Sequence, residues 1–136
     1  MTGRDTSEMG AERDLDVLIA TLDVERRPGT FVYHQRPGEA EPVPGALVMI
    51  DEGETTTYIV DEGTVDGGEF RSAWLTLTVH SALEAVGLTA AVAAALTAEG
   101  IPANVLAGYA HDHMLVPVER ADDAIAAIRA LAAGTG

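Results

Sequence analysis

The chain contains no cysteine and no lysine among its 136 residues. Without cysteine there is no disulfide, no thiolate nucleophile and no zinc-thiolate site, although that absence alone does not fix the redox compartment. Without lysine there is no Schiff base and no lysine-bearing phosphate loop. The one glycine pair, Gly67-Gly68, lacks the flanks of a nucleotide fingerprint. Aromatic residues make up only 4%, so the interior has to be built from Ala, Val, Leu and Ile. No apolar run approaches the roughly 18 residues of a membrane span. The opening "MTGRDTSEMGAERD" has no hydrophobic stretch of the secretory kind, so a cytoplasmic protein is expected, with no membrane partner.

What is abundant is acid. Twenty-two acidic residues against eight arginines give a net charge of −14. Six of those arginines are scattered among sixteen acids before Trp74. A phosphate backbone is bound through clustered cations, so nucleic acid is a poor partner. The acidity itself reads as a solvated surface. With 47% hydrophobic residues, the chain is long enough for one compact domain or two very small units sharing a core.

Residues 1–12 are polar, mixed in charge and aperiodic, which predicts a disordered tail. Asp14 then precedes Leu15, Leu18, Ile19 and Leu22, spaced for one face of a short helix. The Arg27-Pro28-Gly29 sequence is expected to end it. "TFVYHQ" (30–35) reads as a strand and "RPGEAEPVPG" (36–45) as a loop. "ALVMID" and "TTTYIV", joined by the acidic "EGE", predict a hairpin. The polar, glycine-rich "DEGTVDGGEF" (61–70) is where a boundary between halves is expected.

The second half is more regular. In "SAWLTLTVH" (72–80), Trp74, Thr76 and Thr78 alternate with Ala73, Leu75, Leu77 and Val79, a strand with one well-buried face. Thr89 to Glu99 reads as a helix carrying Val92 and Leu96 on one side, stopped by Gly100 and Pro102. "ANVLAGY" and "HMLVPV" predict strands about a tight turn near His111-Asp112. "ERADDAIAAIRALAA" closes the chain as a helix with acids at its N-terminus. The order β-α-β-β-α, with right-handed crossovers, is the ferredoxin-like split βαβ plan, lacking a last strand that the first half could supply.

These residues carry a family resemblance. "LTLTVHSALEAVGLTAAVAAALTAEGIPANVLAGY…MLVPVERADDAIAAI" resembles an ACT domain on Gly87-Leu88, Gly100-Ile101 and Asn104. The chain from about Arg13 to Leu131 resembles small stand-alone proteins with two ACT-like halves, on "LTVHSALEAVGLTAAV" and "GYAHDHMLVP". The resemblance implies an α+β fold of two ferredoxin-like halves with antiparallel sheets and helices on one face. The halves are expected at 13–67 and 68–133. It further implies a non-catalytic, cofactor-free regulatory protein that forms a homodimer, in which a small molecule, typically an amino acid, binds at an interface between ACT units. The implied ligand-binding residues are His80, Ser81, Glu84, Val86, Gly87, Leu88, Thr89, Asn104 and Val105. A helix N-terminus in that position offers backbone N–H groups to a carboxylate, and Asn104 has both a donor and an acceptor.

Each of these residues also has an ordinary structural reading. Ser81 and Glu84 fit a capping box. Gly87 fits a positive φ or a close helix approach, Asn104 a local turn bond, and His80 a structural histidine at a strand end. "HDH" raises a rival, a small metal-dependent enzyme: His111 and His113 project to the same side of an extended strand, with Asp112 opposite. A site needs a third ligand, and His80 is expected at the far end of its strand from this hairpin, so a second subunit would have to supply one. A third possibility is a purely structural interaction module. Adjacent His80 and Ser81 face opposite ways in a strand and do not make a nucleophile-base pair.

Overall fold

Asp14 opens the first helix, its carboxylate accepting from the amides of Asp16 and Val17 at 2.9 and 3.3 Å. The structure, a computed structural model, describes residues 14–80 and 85–134; the expected tail at 1–12 lies outside them. Helix α1 (Leu15–Ala20) is followed by β1 (Val24–Pro37), β2 (Val48–Asp51), β3 (Thr55–Asp61) and β4 (Glu69–Leu77). Then come α2 (Leu88–Ala98), β5 (Asn104–Ala107), β6 (Asp112–Pro117) and α3 (Ala121–Ala132).

All six strands form one antiparallel-paired sheet in the order β2-β3-β1-β4-β6-β5. That order contains two overlapping sets of four. In β2-β3-β1-β4 the first half supplies three strands and β4 completes the set. In β1-β4-β6-β5 the second half supplies three, and β1 fills the missing edge through Val24–Arg27 paired with Leu77–Trp74. Each set has the strand order of a split βαβ sheet. The fold is α+β and ferredoxin-like, with the two halves fused through β1 and β4.

The Arg27-Pro28-Gly29 sequence does not end a helix. α1 stops at Ala20, and these residues lie inside β1, where the register with β4 shifts between Arg27 and Phe31. Proline has no N–H to give a ladder, and a bulge is the place in a strand that tolerates one. Gly29 takes φ +110° there. The expected strand at 30–35 is therefore the second part of a longer one. Similarly, Glu69 and Phe70 belong to β4 rather than to the boundary segment, and the turn of the last hairpin lies at 108–111, closed by the Gly108 amide on the His111 carbonyl at 2.9 Å. The hairpin of β2 and β3 forms as expected.

Alternation in β4 sends Ala73, Leu75 and Leu77 to the helix-covered face, and Val79, just beyond the strand, joins them. There they meet Met114, Val116, Val92, Leu96, Ala124, Ile128 and Leu18 in the principal core. The opposite, helix-free face carries Phe31, Ile59, Trp74 and Leu115, with Phe31 and Trp74 edge to face at 5.9 Å. In the first half no helix joins β1 to β2, and a short 3-10 turn (Glu62–Thr64) stands between β3 and β4. A small cluster of Val32, Val43, Tyr58 and Val60 is packed there by Ala46 and Val65 from the connecting segments.

Candidate functional site

β4 and β6 are antiparallel with Thr76 opposite His113, so the end of β4 lies beside the start of β6. This corrects the expectation that His80 and the last hairpin are at opposite ends. The rings of His80 and His111 are 5.9 Å apart, centroid to centroid, within one chain. His111 does not join His113 about a common point: the His113 ring packs instead on Trp74 at 5.5 Å. No group of three His, Cys, Asp or Glu side chains among the described residues is placed to hold a metal ion.

His113 is fixed by two neighbours. Its Nδ1 lies 3.3 Å from Trp74 Nε1 and 2.9 Å from Thr76 Oγ1. An indole N–H can only donate, so Nδ1 accepts and the proton of the neutral ring sits on Nε2. Burial pushes the imidazole pKa below its usual value, the positive potential of His111 adds to this, Asp112 opposes it, and Arg27 lowers it further. The Arg27 guanidinium lies over the Trp74 ring, 5.6 Å from its centroid. Sequence reasoning missed this group of Arg27, Trp74, Thr76 and His113. The alternation that placed Trp74 and Thr76 on one face was legible, but the partners facing them across β1 and β6 were not.

At the start of α2, Gly87 is the N-cap residue, with φ +103° and no side-chain hydrogen bond to the helix. The first backbone bond runs from the Ala91 amide to the Gly87 carbonyl, 2.9 Å, leaving the amides of Leu88, Thr89 and Ala90 ahead of the helical ladder. A Cβ on Gly87 would stand 2.9 Å from Leu15 Cδ2. Both ordinary reasons for a glycine are therefore met here, the left-handed φ and the close approach of α1. Val86 is 81% exposed, whereas the Leu88 side chain is part of the core, so Leu88 has only its backbone to offer. Ser81 and Glu84, and with them the expected capping box, lie outside the described residues.

Asn104 and Val105 begin β5 at the sheet edge. Asn104 is opposite Leu115, which is opposite Trp74; it therefore sits on the helix-free side, where its amide hydrogen-bonds the Tyr33 hydroxyl. Burial raises the Tyr33 pKa and this bond opposes the rise. Val105, 37% exposed, is on the other side of the strand. The α2 terminus and Asn104 are thus at different heights and on different faces of the same chain.

Residues 10–72 and 69–130 each match a family model described as an ACT domain. The chain belongs to the ACT domain family. ACT domains are regulatory units that bind small molecules, and this chain carries two. A Vibrio cholerae protein of unknown function, a possible transport protein, is 34% identical over 87% of this ACT chain and 95% of its own, with a TM-score of 0.78. An Agobacterium tumefaciens protein is 12% identical over 82% and 89%, TM-score 0.64. The regulatory subunit of aspartate kinase from Thermus flavus is 12% identical over 80% and 96%, TM-score 0.59. The latter two share the fold. No curated protein sequence matches the chain. No described helix is long and apolar enough to cross a membrane.

Proposed function

We propose that this ACT protein is a cytoplasmic, non-catalytic, homodimeric sensor of an amino acid. The observation that carries the reading is that both halves of the chain match ACT domain models. The ligand carboxylate is received by the amides of Leu88, Thr89 and Ala90 at the start of α2. Two features support that choice. Gly87 caps the helix without a side chain to occupy those amides, and a helix N-terminus favours negative charge. Asn104 faces the helix-free side of the sheet, away from α2, so it is assigned, with its neighbour Val105, to a second copy across an interface. A ligand bridging two copies shifts the population of dimer arrangements by its differential affinity for them.

A thermal-shift screen of the twenty amino acids at millimolar concentration tests this. A true ligand at about 100 times its Kd adds about 2.7 kcal/mol, enough for a melting shift of several degrees. The substitution Thr89→Asp separates binding from folding. A carboxylate in the first turn stabilises the helix by about 0.3–1 kcal/mol, while occupying the amides the ligand needs. The variant should melt slightly higher than the parent and lose its response to the amino acid. A screen without a response, or a Thr89→Asp variant that responds like the parent, would sink the reading.

A further inference from the structure

A cavity of about 320 Å³ opens on the helix-free face. Leu47 and Val48 line it from one side of the sheet, Leu106, Ala107 and Gly108 from the other, and Trp74 and His113 from between. β2 and β5 are the first and last of six strands, so the sheet must curl for both to border one space. The curl also explains why Trp74 is only 6% exposed on a face without helices, and why Asn104 on β5 reaches Tyr33 on β1. Ligand pockets run from roughly 300 to 1,000 Å³ and are mostly apolar with a few placed polar groups; this one stands at the small end.

Its polar groups are donors. His113 uses Nδ1 on Trp74 and Thr76, which leaves the Nε2 proton for another partner. A Cβ on Gly108 would come within 3.1 Å of that Nε2, so glycine leaves the atom uncovered on this side. Arg27 is not one of the lining residues, but its guanidinium stands over the Trp74 ring and its charge is felt at His113, so a permanent positive charge lies beside the cavity. No acid is among the lining residues; Asp112, next to His113 in sequence, is the acid whose charge His113 feels. The chain's net charge of −14 repels an anion at long range, and a charge-assisted contact has to overcome it at short range.

We infer that this cavity binds a small apolar monocarboxylate without an ammonium group, such as a branched 2-oxo acid. The carboxylate lies between His113 Nε2–H and Arg27, and the alkyl group lies against Leu47, Val48 and Leu106. An amino acid fits less well, because no lining side chain offers a carboxylate to its ammonium. This site is separate from the α2 terminus and does not depend on it.

Trp74 is the only tryptophan, so its emission reports occupancy directly. The full chain is titrated with 4-methyl-2-oxopentanoate and, in parallel, with leucine. A saturable change with the oxo acid and a much weaker one with leucine are expected. Arg27→Gln, at an exposed position, should weaken the oxo acid by about tenfold or more, the scale of a lost charged hydrogen bond. Leu106→Phe should fill the space and abolish the response, with the far-UV spectrum of both variants unchanged. The inference is overturned by no saturable change at millimolar oxo acid, by leucine binding as tightly, or by full affinity in a folded Arg27→Gln protein.

Discussion

His113 is a neutral acceptor for an indole N–H, and that role ends when the ring takes a second proton. Its folded pKa lies below the ordinary 6.5. Above the unfolded value both states are neutral and pH has no effect through this group. As pH falls through the unfolded pKa, the unfolded chain binds a proton that the folded chain resists, so stability drops until the folded pKa is passed. Urea midpoints taken between about pH 7.5 and 5 should fall for the parent and fall less for His113→Gln; equal slopes would show that His113 carries none of the dependence. The sequence disclosed the residue types here and the face on which Trp74 and Thr76 lie. It did not disclose which residue of β6 stands opposite Thr76, because register is set by pairing across 37 positions of chain. The same blind spot hid the approach of His80 to His111. Gly87 was the opposite case: the sequence pattern singled it out, and its φ and its nearness to Leu15 give the reason.

Elements that are weak alone are held here by what they touch. α1 has six residues, too few to persist in water by itself. Its Asp14 cap and the burial of Leu18, 1% exposed, fasten it over α2 and α3. Leu18→Ala should therefore cost about 2–5 kcal/mol, the range for a buried leucine truncated in a packed core. A loss below about 1 kcal/mol in equilibrium unfolding would mean that α1 is only laid against the surface. The periodicity of Leu15, Leu18, Ile19 and Leu22 was enough to find this helix. β1 was harder to read, since Pro28 and Gly29 look like a stop signal. Inside a sheet the same pair marks an irregularity at which β1 shifts its register on β4 and begins to pair with β3 as well. Local chemistry does not distinguish the two outcomes; the availability of a partner strand does.

At the scale of the molecule, the principal core draws on both halves: Leu18, Leu22 and Val24 pack with Leu75, Leu77, Val92 and Ile128. A fragment of residues 68–133 would expose the β4 edge that Val24–Arg27 now covers, and would lose α1 from above the core. It should give no cooperative melting transition, whereas the whole chain should show one. A fragment that melts cooperatively on its own would show that β1 is an accessory. The ACT-like order of the second half was legible from its alternating strand and amphipathic helices, including the need for a borrowed edge strand. The first half was less so, because its connections, a loop and a 3-10 turn, leave no helical period to detect.

The shared strand also constrains ancestry. A one-residue deletion between Arg27 and Phe31 would put the pairs that Val24–Arg27 make with β4 out of step with those that Phe31 onward makes with β3, in a single event. Neither unit can be exchanged, duplicated or shed without unravelling its neighbour, so the two must be inherited, and must change, as one piece.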